Sequence, residues 1–345
     1  MNKKRLEEIF ARFPDIRLVV NGDYFLDNYL ILDRRLSETS LETELEAYQV
    51  VYTRRYPGVA GTTVSNLRSL GVNVLALGLF GDDGNGFELR KKLVENKVDV
   101  RGFLEVPGLS TPTYNKPMMR EADGQEHELN RMDVKYRVPL ECSLEERLID
   151  TLHILLAEAD GMLIIDQAHQ RNCGVITDRM RDEIQLLGMS NPHKIILADS
   201  REYLGLFKYG ILKSNLSEAI RSTKIKAKAG ESTTACAERC GHLLNVQTGC
   251  PVVITLGSEG MYLIPDSYHD GIFIPAIPVT GPIDIVGAGD AVDASIGAAL
   301  CAGATLEEAG FLANLVASVV IQQIGVTGTA SPQQVMDQYL VHFEK

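Results

Sequence analysis

The chain has 345 residues, of which 45% are apolar and 23% are charged, and its formal net charge is −12. This composition is typical of a globular protein with a large core, arranged as one large α/β domain or as two domains. The acidic excess argues against a protein that binds a nucleic-acid backbone or an anionic membrane surface, although a local basic pocket is compatible with it. No stretch is apolar over the roughly 18 residues that a membrane span needs, and the first residues lack the apolar core of a signal peptide. We therefore expect a cytoplasmic protein.

Strands and helices alternate through the first hundred residues. The pattern predicts a helix over 5–13, a strand over 16–20, a helix over 64–70 that stops at Gly71, a strand over 72–78 and a helix over 87–95. This order implies parallel pairing within one sheet. Asn21-Gly22-Asp23 reads as the loop after the first strand, and Asp27 follows it. Asp27 is therefore either near a ligand at the carboxyl edge of the sheet or on a solvated loop.

Residues 28–56 and 111–133 interrupt the alternation. The first segment is charged and alternates weakly, with a candidate extended strand over 46–53. The second reads as a hairpin with its turn at 122–125, which we interpret as an excursion from the main sheet that forms a flap.

The alternation then returns and continues to the end of the chain. Helices are predicted over 144–158, 176–187, 231–245, 289–302, 306–324 and 332–343, strands over 161–165, 194–198, 210–213 and 251–257, and a hairpin over 260–264 and 271–275. Polar groups follow four of the strands, namely Asp27, Asp166, Asp199, and Asn215 with Glu218. We expect them to line one edge of the sheet, in a crevice that suits magnesium and phosphate.

A small-residue turn, Gly287-Ala288-Gly289, opens the helix near 289–302 and is followed by Asp290. Free amides at the start of a helix, with no side chains in the way, form a pocket for a phosphate. A carboxylate there repels an anion, but it can take a proton from a hydroxyl that attacks the phosphate. The alternative is an acid that only complements the helix dipole. Asn215 and Glu218 have a similar alternative, an N-cap with a first-turn acid.

These motifs resemble the ribokinase-like, or PfkB, sugar kinases over essentially the whole chain. Residues 284–290 (Asp-Ile-Val-Gly-Ala-Gly-Asp) are similar to the late signature D-T-x-G-A-G-D, and residues 57–71 with 78–86 look like the early signature. Asn215 and Glu218 match N-x-x-E, and Thr255, Gly257 and Gly260 match T-x-G-x-x-G. Among subgroups, Gly22-Asp23, Asp27, Pro57-Gly58 and the 113–133 hairpin look closest to the kinase domain of ADP-heptose synthases.

The resemblance implies a fold, an activity and partners. The fold is a single ribokinase-like domain over 1–345, a three-layer αβα sandwich with a mostly parallel central sheet and a small β-sheet lid from about 28–56 and 111–133. The activity is ATP-dependent phosphorylation of a hydroxyl of a sugar or sugar phosphate, with Mg²⁺ and, in many members, K⁺. Two lids pair into a homodimer in many members, and neither nucleic acid nor a membrane is a partner.

The resemblance also implies roles for individual residues. Asp290 looks like the general base, and Gly287, Ala288 and Gly289 like the anion hole. Asn215 and Glu218 look like organisers of magnesium, through water, and Asp284 lies beside the loop that holds potassium in many members. The nucleotide side looks like Asn215, Glu218, Thr255, Gly257, Gly260 and Asn314. The sugar side looks like Asp27, Gly58 and Thr62, while Lys116 and Arg131 either bind a sugar phosphate or lie on a solvated hairpin face.

The chain departs from the family pattern mainly on the sugar side. Val59 stands at a family glycine, Thr62 at the sugar-binding asparagine, Ile285 at the late threonine and Val292 at an aromatic. These departures leave the substrate open and motivate an alternative, a nucleotide- or sugar-binding sensor of the same fold that no longer catalyses. A dinucleotide-dependent dehydrogenase is disfavoured because no G-x-G-x-x-G follows the first strand.

The six cysteines are scattered without the close pairing of a disulfide framework, which favours reduced thiols. Cys236 and Cys240 are four residues apart, with His242 and Cys250 nearby, as ligands on one helix face would be. No paired C-x-x-C accompanies them, so buried apolar cysteines are favoured over a zinc site.

Overall fold

A computed structural model describes residues 1–344 and places sixteen β-strands and ten α-helices in them. The strands are β1 (Arg17–Gly22), β2 (Tyr24–Asp33), β3 (Glu38–Thr39), β4 (Glu46–Ala47), β5 (Val50–Val59), β6 (Asn73–Gly81), β7 (Asp99–Val106), β8 (Thr113–Arg120), β9 (Glu126–Glu128), β10 (Met132–Val134), β11 (Gly161–Asp166), β12 (Ile195–Ser200), β13 (Ile211–Asn215), β14 (Val252–Thr255), β15 (Gly260–Ile264) and β16 (Ile272–Pro275). The helices are α1 (Lys3–Arg12), α2 (Ala60–Leu70), α3 (Gly84–Glu95), α4 (Cys142–Ala157), α5 (Asp178–Ser190), α6 (Leu216–Thr223), α7 (Thr233–Thr248), α8 (Ala288–Cys301), α9 (Leu306–Val320) and α10 (Pro332–Phe343).

The large sheet has nine strands in the order β16-β15-β14-β13-β12-β11-β1-β6-β7. The strands from β14 to β7 pair in parallel, and β15 and β16 extend the sheet as an antiparallel hairpin. Successive residues of β1 enter different cores, because Leu18 and Val20 pack in one apolar cluster and Val19 in the other. Helices therefore cover both faces of the sheet. This confirms the predicted three-layer αβα sandwich.

A second, smaller sheet has the order β10-β8-β2-β5, with β9 paired to β8. Both interrupting segments contribute to it, since β2 and β5 flank residues 34–49 and the hairpin supplies β8 and β9. The two segments meet where β2 and β8 pair in parallel. We call this five-stranded sheet the lid.

The prediction of a loop at Asn21–Asp23 is wrong, because Asn21 and Gly22 belong to β1 and only Asp23 separates β1 from β2. The buried Asp23 carboxylate accepts hydrogen bonds from the backbone N–H groups of Gln167 and Val175, both at 2.9 Å, and these bonds hold the chain as it crosses from one sheet to the other. Asp27 consequently lies inside the lid strand β2, neither on a solvated loop nor at the carboxyl end of β1.

Two further differences concern a strand that was not predicted and the end of a helix. Strand β7 lies at the edge of the large sheet and was not predicted, because its charged residues weaken the apolar pattern. Helix α9 ends at Val320, four residues before the predicted end. Within residues 1–344, none of the helices combines the length and the apolar character that crossing a bilayer demands.

Candidate active site

Helix α8 begins at a turn that only glycine fits. Gly287 has a φ of 82°, and a Cβ at this position would lie 2.9 Å from Cγ2 of Thr327. The N–H of Ala288 donates to the carbonyl of Ile285, whereas the N–H groups of Gly289 and Asp290 have no protein acceptor within the described chain. Two free amides at the positive end of a helix can bind an anion.

Asp290 follows these amides and is half-buried. Burial is the main cause that raises the pKa of its carboxyl group to about 7, with smaller upward contributions from the charges of Asp199 and Asp27 and opposing, lowering ones from Lys213 and Arg201. A carboxyl group that titrates near neutral pH can act as a general base, because it is both ionised and basic enough to accept a proton.

Lys213, in strand β13, lies directly beneath this turn and was missed from the sequence. Its Nζ donates to Asp199 Oδ2 at 2.6 Å, to Asp293 Oδ2 at 3.1 Å and to the carbonyl of Gly289 at 3.3 Å. Burial lowers the pKa of Lys213, but the two carboxylates outweigh it, so the net shift is upward. The available signal was a lysine inside the apolar strand β13, two residues before Asn215.

Asn215 and Glu218 form a capping box at the start of α6. Asn215 Oδ1 accepts from the N–H of Glu218, and Glu218 Oε2 accepts from the N–H of Asn215, both at 2.9 Å. Asn215 and Glu218 therefore do cap helix α6, as the alternative to a ligand-binding role predicted. It leaves Glu218 Oε1 free for a further ligand, and burial together with the charge of Asp199 raises the pKa of Glu218.

The predicted nucleotide residues lie together along one edge of the large sheet. Asn215 pairs with Thr255 across β13 and β14, and the chain then turns at Gly257, whose φ is 60°. At Gly260 a Cβ would lie within 2.1 Å of the Ile274 carbonyl oxygen, so glycine is required there by the backbone alone. The side-chain amide of Asn314 donates to the carbonyls of Ile274 and Pro275, beside Gly260.

On the lid, Asp27 and Lys116 form a buried ion pair. Lys116 Nζ donates to Asp27 Oδ2 and to the Tyr29 hydroxyl, both at 3.1 Å, and the two charged residues are only 6–7% exposed. Lys116 is thus not on a solvated hairpin face. Asp27 Oδ1 has no hydrogen-bond partner among the described residues, and a Cβ at Gly58 would lie 2.8 Å from it. One carboxylate oxygen is therefore available to a ligand.

Two cations lie at the ring of Tyr114, which pairs with Asp27 across β2 and β8. Arg131 lies 4.4 Å and Lys135 5.6 Å from the ring centroid, and both contact the carboxylate of Asp133. The charge of Arg201 lowers the pKa of Tyr114 and also those of Asp290 and Glu218. The charge of Arg201 therefore acts both on the lid and on the turn at 287–290, and sequence analysis did not single this residue out.

Thr62 is buried beside the turn, with its methyl group 3.2 Å from the Cβ position of Gly287. Its hydroxyl donates to the carbonyl of Pro57 at 3.4 Å, within its own segment. Val59, which stands at a family glycine, has a φ of 58°, a backbone conformation that is strained for a β-branched residue.

Asp284 joins the catalytic turn to the segment after α9. Its N–H donates to the carbonyl of Ile321, and its carboxylate accepts from the N–H groups of Val286 and Gly325. The segment before α8 and the segment after α9 are therefore held together by Asp284.

Asp166 does not line the crevice as expected. It is 2% exposed, accepts a hydrogen bond from the Ser200 hydroxyl and forms an ion pair with the buried Arg181 of α5. Burial, with the charge of Asp23, raises its pKa to about 8. Among the polar residues predicted to follow the strands, Asp199 and Glu218 are thus partly accessible, whereas Asp166 is buried.

Metal ligands are sparse. Within the described residues, no group of three or more His, Cys, Asp and Glu side chains could hold a metal ion. A magnesium ion at Asn215 and Glu218 would consequently take most of its ligands from phosphates and water. Cys236, Cys240 and Cys250 are free and buried, in agreement with the apolar interpretation.

Comparison with known proteins yields one family match. The model described as pfkB family carbohydrate kinase matches residues 156–334. The "Bifunctional protein HldE" of Geobacter metallireducens is 30% identical over 341 residues, and that of Geotalea uraniireducens is 28% identical over 339 residues. Each alignment covers 97% of this chain and 65% of the relative, so the chain spans less than two thirds of the length of these relatives.

Solved structures share the fold at low sequence identity. The phosphofructokinase-2 of Escherichia coli in complex with potassium has a TM-score of 0.71 at 15% identity, with 94% of this chain and 98% of that chain covered. The ribokinase of Arabidopsis thaliana complexed with ribose and ATP has a TM-score of 0.65 at 20% identity, with the same coverage.

Proposed function

Because the chain belongs to the pfkB family of carbohydrate kinases, we propose that it transfers the γ-phosphoryl group of ATP to a hydroxyl of a sugar phosphate. The observation that carries this is Asp290, a carboxyl group with a pKa of about 7, placed directly after two free helix amides. The amides of Gly289 and Asp290 bind the oxygens of the transferring group, and Asp290 takes the proton of the attacking hydroxyl. The turn at Gly287 and Ala288 holds these groups in position.

In this proposal, ATP binds along the edge of the large sheet, beside Asn215, Thr255, Gly257, Gly260 and Asn314. Asn215 and Glu218 hold Mg²⁺ through water, and the ion supplies charge neutralisation at the phosphates. Asp284 organises a site for K⁺ beside the turn, which is supported by its bonds to both flanking loops.

We propose that the sugar binds between the lid and Thr62. The free Oδ1 of Asp27 accepts a hydrogen bond from a sugar hydroxyl, and Gly58 leaves room for it. Around Tyr114, the cations Arg131, Lys135 and Arg201 outnumber the carboxylates of Asp133 and Asp27. Asp27 is moreover paired with Lys116, and this excess of positive charge favours a substrate that already carries a phosphate. The resemblance to the kinase domain of ADP-heptose synthases favours a heptose phosphate within this class.

The assigned base is tested with Asp290→Asn. The variant should fold and bind ATP, yet lose about 10²–10⁴-fold in kcat, the range for one general base. Asp337→Asn, the same change at an exposed helix position, is the matched control and should keep full activity. Equal turnover in both variants would remove Asp290 as the base. ATP binding by the wild-type chain without turnover on any sugar would favour the sensor instead.

The substrate class is tested by comparing kcat/KM for sugars with and without a phosphate group, in the wild-type chain and in Arg201→Gln. The variant should lose the preference for the phosphorylated sugar while ATP affinity stays unchanged. A preference for free sugars in the wild-type chain would contradict the assignment of the three cations but not that of Asp290.

We further propose a homodimer formed through the lid. The lid strand β5 is an edge strand, and apolar side chains are exposed on and beside it, including Leu41, Leu45, Val50 and Val51. An open edge with apolar neighbours is a surface that a second copy can cover.

A further inference from the structure

A cavity of about 540 Å³ lies on the outer side of α2, apart from the proposed catalytic crevice. Residues of α2, of β5, of the end of α3 and of the segment after α9 line it. None of the residues assigned above to the sugar, the nucleotide or the metal is among its lining residues.

Strand β5 separates the cavity from the sugar side. Asp27 pairs with Tyr56, and Asn28 pairs with Arg55, so the side chains of Asp27 and Arg55 lie on opposite faces of the lid. The contacts agree, because Arg55 bonds to Asn28 Oδ1 and approaches Glu88 of α3, whereas Gly58 packs on Asp27. Arg55 therefore faces away from Asp27, while Tyr56, which also lines the cavity, is on the face of Asp27.

The cavity is strongly basic in an acidic protein. Four cationic side chains line it, Arg55, Arg68, Lys92 and Lys97, against the one carboxylate of Glu95. Glu95 is paired with Lys92 at 2.8 Å, and Lys97 has no carboxylate partner within the described chain. The guanidinium group of Arg68 already donates to the carbonyls of Val72 and Asn96, and that of Arg55 lies 3.9 Å from Glu88. The remaining positive charge is that of the lysines, and ammonium groups bind phosphate as point charges.

A buried polar atom also belongs to this cavity. The hydroxyl oxygen of Thr327, a lining residue, is buried without a hydrogen-bond partner among residues 1–344. The methyl group of the same residue contacts the Cβ position of Gly287 at the catalytic turn. The cavity thus adjoins the turn from behind.

We propose that this cavity is a second anion site, which binds a small molecule bearing one or more phosphate groups. Lys92 and Lys97 supply the positive charge, with Arg55 beside them, and Thr327 lines the same cavity. Through Thr327, the occupied site touches the residue that shapes the proposed anion hole.

The test is calorimetric titration of pyrophosphate into the full chain, with ADP present to fill the proposed nucleotide site. Lys97→Gln should weaken pyrophosphate binding by about tenfold, since it removes one charge-assisted hydrogen bond. Glu95→Gln should tighten binding, because it frees Lys92. Lys91→Gln is the matched control, since Lys91 is an exposed neighbour on α3 outside the cavity and loses the same charge.

The three variants separate the outcomes. Weaker binding by Lys97→Gln, tighter binding by Glu95→Gln and no change in Lys91→Gln support the site. Equal weakening by the two lysine variants would mean only general attraction to the surface, and unchanged affinity in all three would place any bound pyrophosphate elsewhere. Either result overturns the proposal without bearing on Asp290.

Discussion

The ammonium nitrogen of Lys213 lies 3.1 Å from a carboxylate oxygen of Asp293, and both side chains are buried beneath the turn that carries Asp290. The same nitrogen donates to the Gly289 carbonyl, so the pair couples a buried charge to the position of the turn. Removing one partner of a buried pair leaves the other charge uncompensated, which is costly.

Lys213→Met should lower the free energy of unfolding by about 3–5 kcal/mol, as expected for a broken buried ion pair. It should also raise the pKa of Asp290, because the charge of Lys213 lowers that pKa. Urea unfolding and the pH profile of kcat measure the two effects. The double variant Lys213→Met/Asp293→Asn should recover part of the stability. A stability loss with an unshifted pH profile would reduce Lys213 to a structural role.

The pH dependence of kcat should report Asp290 directly. A general base works when deprotonated, so kcat should fall as the pH drops through about 7, the pKa of the Asp290 carboxyl. The measurement is kcat at saturating ATP and sugar from pH 5 to 9. In Asp290→Asn the residual rate should lose this acid limb. An acid limb near pH 4 in the wild-type chain would point to an unperturbed carboxyl instead.

Gly58→Ala should impair sugar binding selectively. The added Cβ would lie 2.8 Å from Oδ1 of Asp27, the oxygen proposed to accept a sugar hydroxyl. We expect KM for the sugar to rise by about tenfold or more, the cost of one hydrogen bond to a charged group, with KM for ATP unchanged. Gly84→Ala, where the added Cβ meets nothing within 4 Å, is the control. Equal KM values in both variants would argue against Asp27 as a sugar contact.

Asp166→Asn should flatten the dependence of stability on pH. The folded chain keeps this proton up to about pH 8, the raised pKa of Asp166, whereas an unfolded aspartate releases it near 3.8, the ordinary pKa of the side chain. The folded state binds more protons between these values, so stability falls as the pH rises through that window. Unfolding free energies at pH 5 and pH 8 should differ less in Asp166→Asn than in the wild-type chain. The exposed change Asp337→Asn should leave the difference intact.

Leu41→Glu/Leu45→Glu should dissociate the proposed dimer. Both leucines are exposed beside the lid strand β5, and a buried carboxylate at an interface is unfavourable. Light scattering after size exclusion gives the mass of each form. Leu186→Glu introduces a similar charge at an exposed apolar position of α5, far along the chain from the lid, and should leave the mass unchanged. A wild-type chain with the mass of a monomer would contradict the dimer.

The sequence by itself determined most of the strands and helices, though not β2 or β7, as well as the two interrupting segments and the turn before Asp290. These features depend on local signals, since apolar periodicity marks an element and Gly287 or Gly71 marks the turn that bounds it. The residues proposed for the nucleotide came from motifs that resemble those of the family, and the strands β13, β14 and β15 beside these motifs are neighbours in the sheet.

Only the tertiary structure decided which side chains meet across distant segments. Lys116 reaches Asp27 across 89 residues and Lys213 reaches Asp293 across 80, because β2 pairs with β8 and β13 lies beneath α8. Burial decided which of the predicted carboxylates are accessible to a ligand. Asp166 and Asp290 both follow local signals for a ligand site, yet Asp166 is buried against Ser200 and Arg181, whereas Asp290 stays partly accessible beside two free amides. A carboxylate's pKa and its access to a substrate depend on the groups packed around it, and spacing along the chain does not encode them.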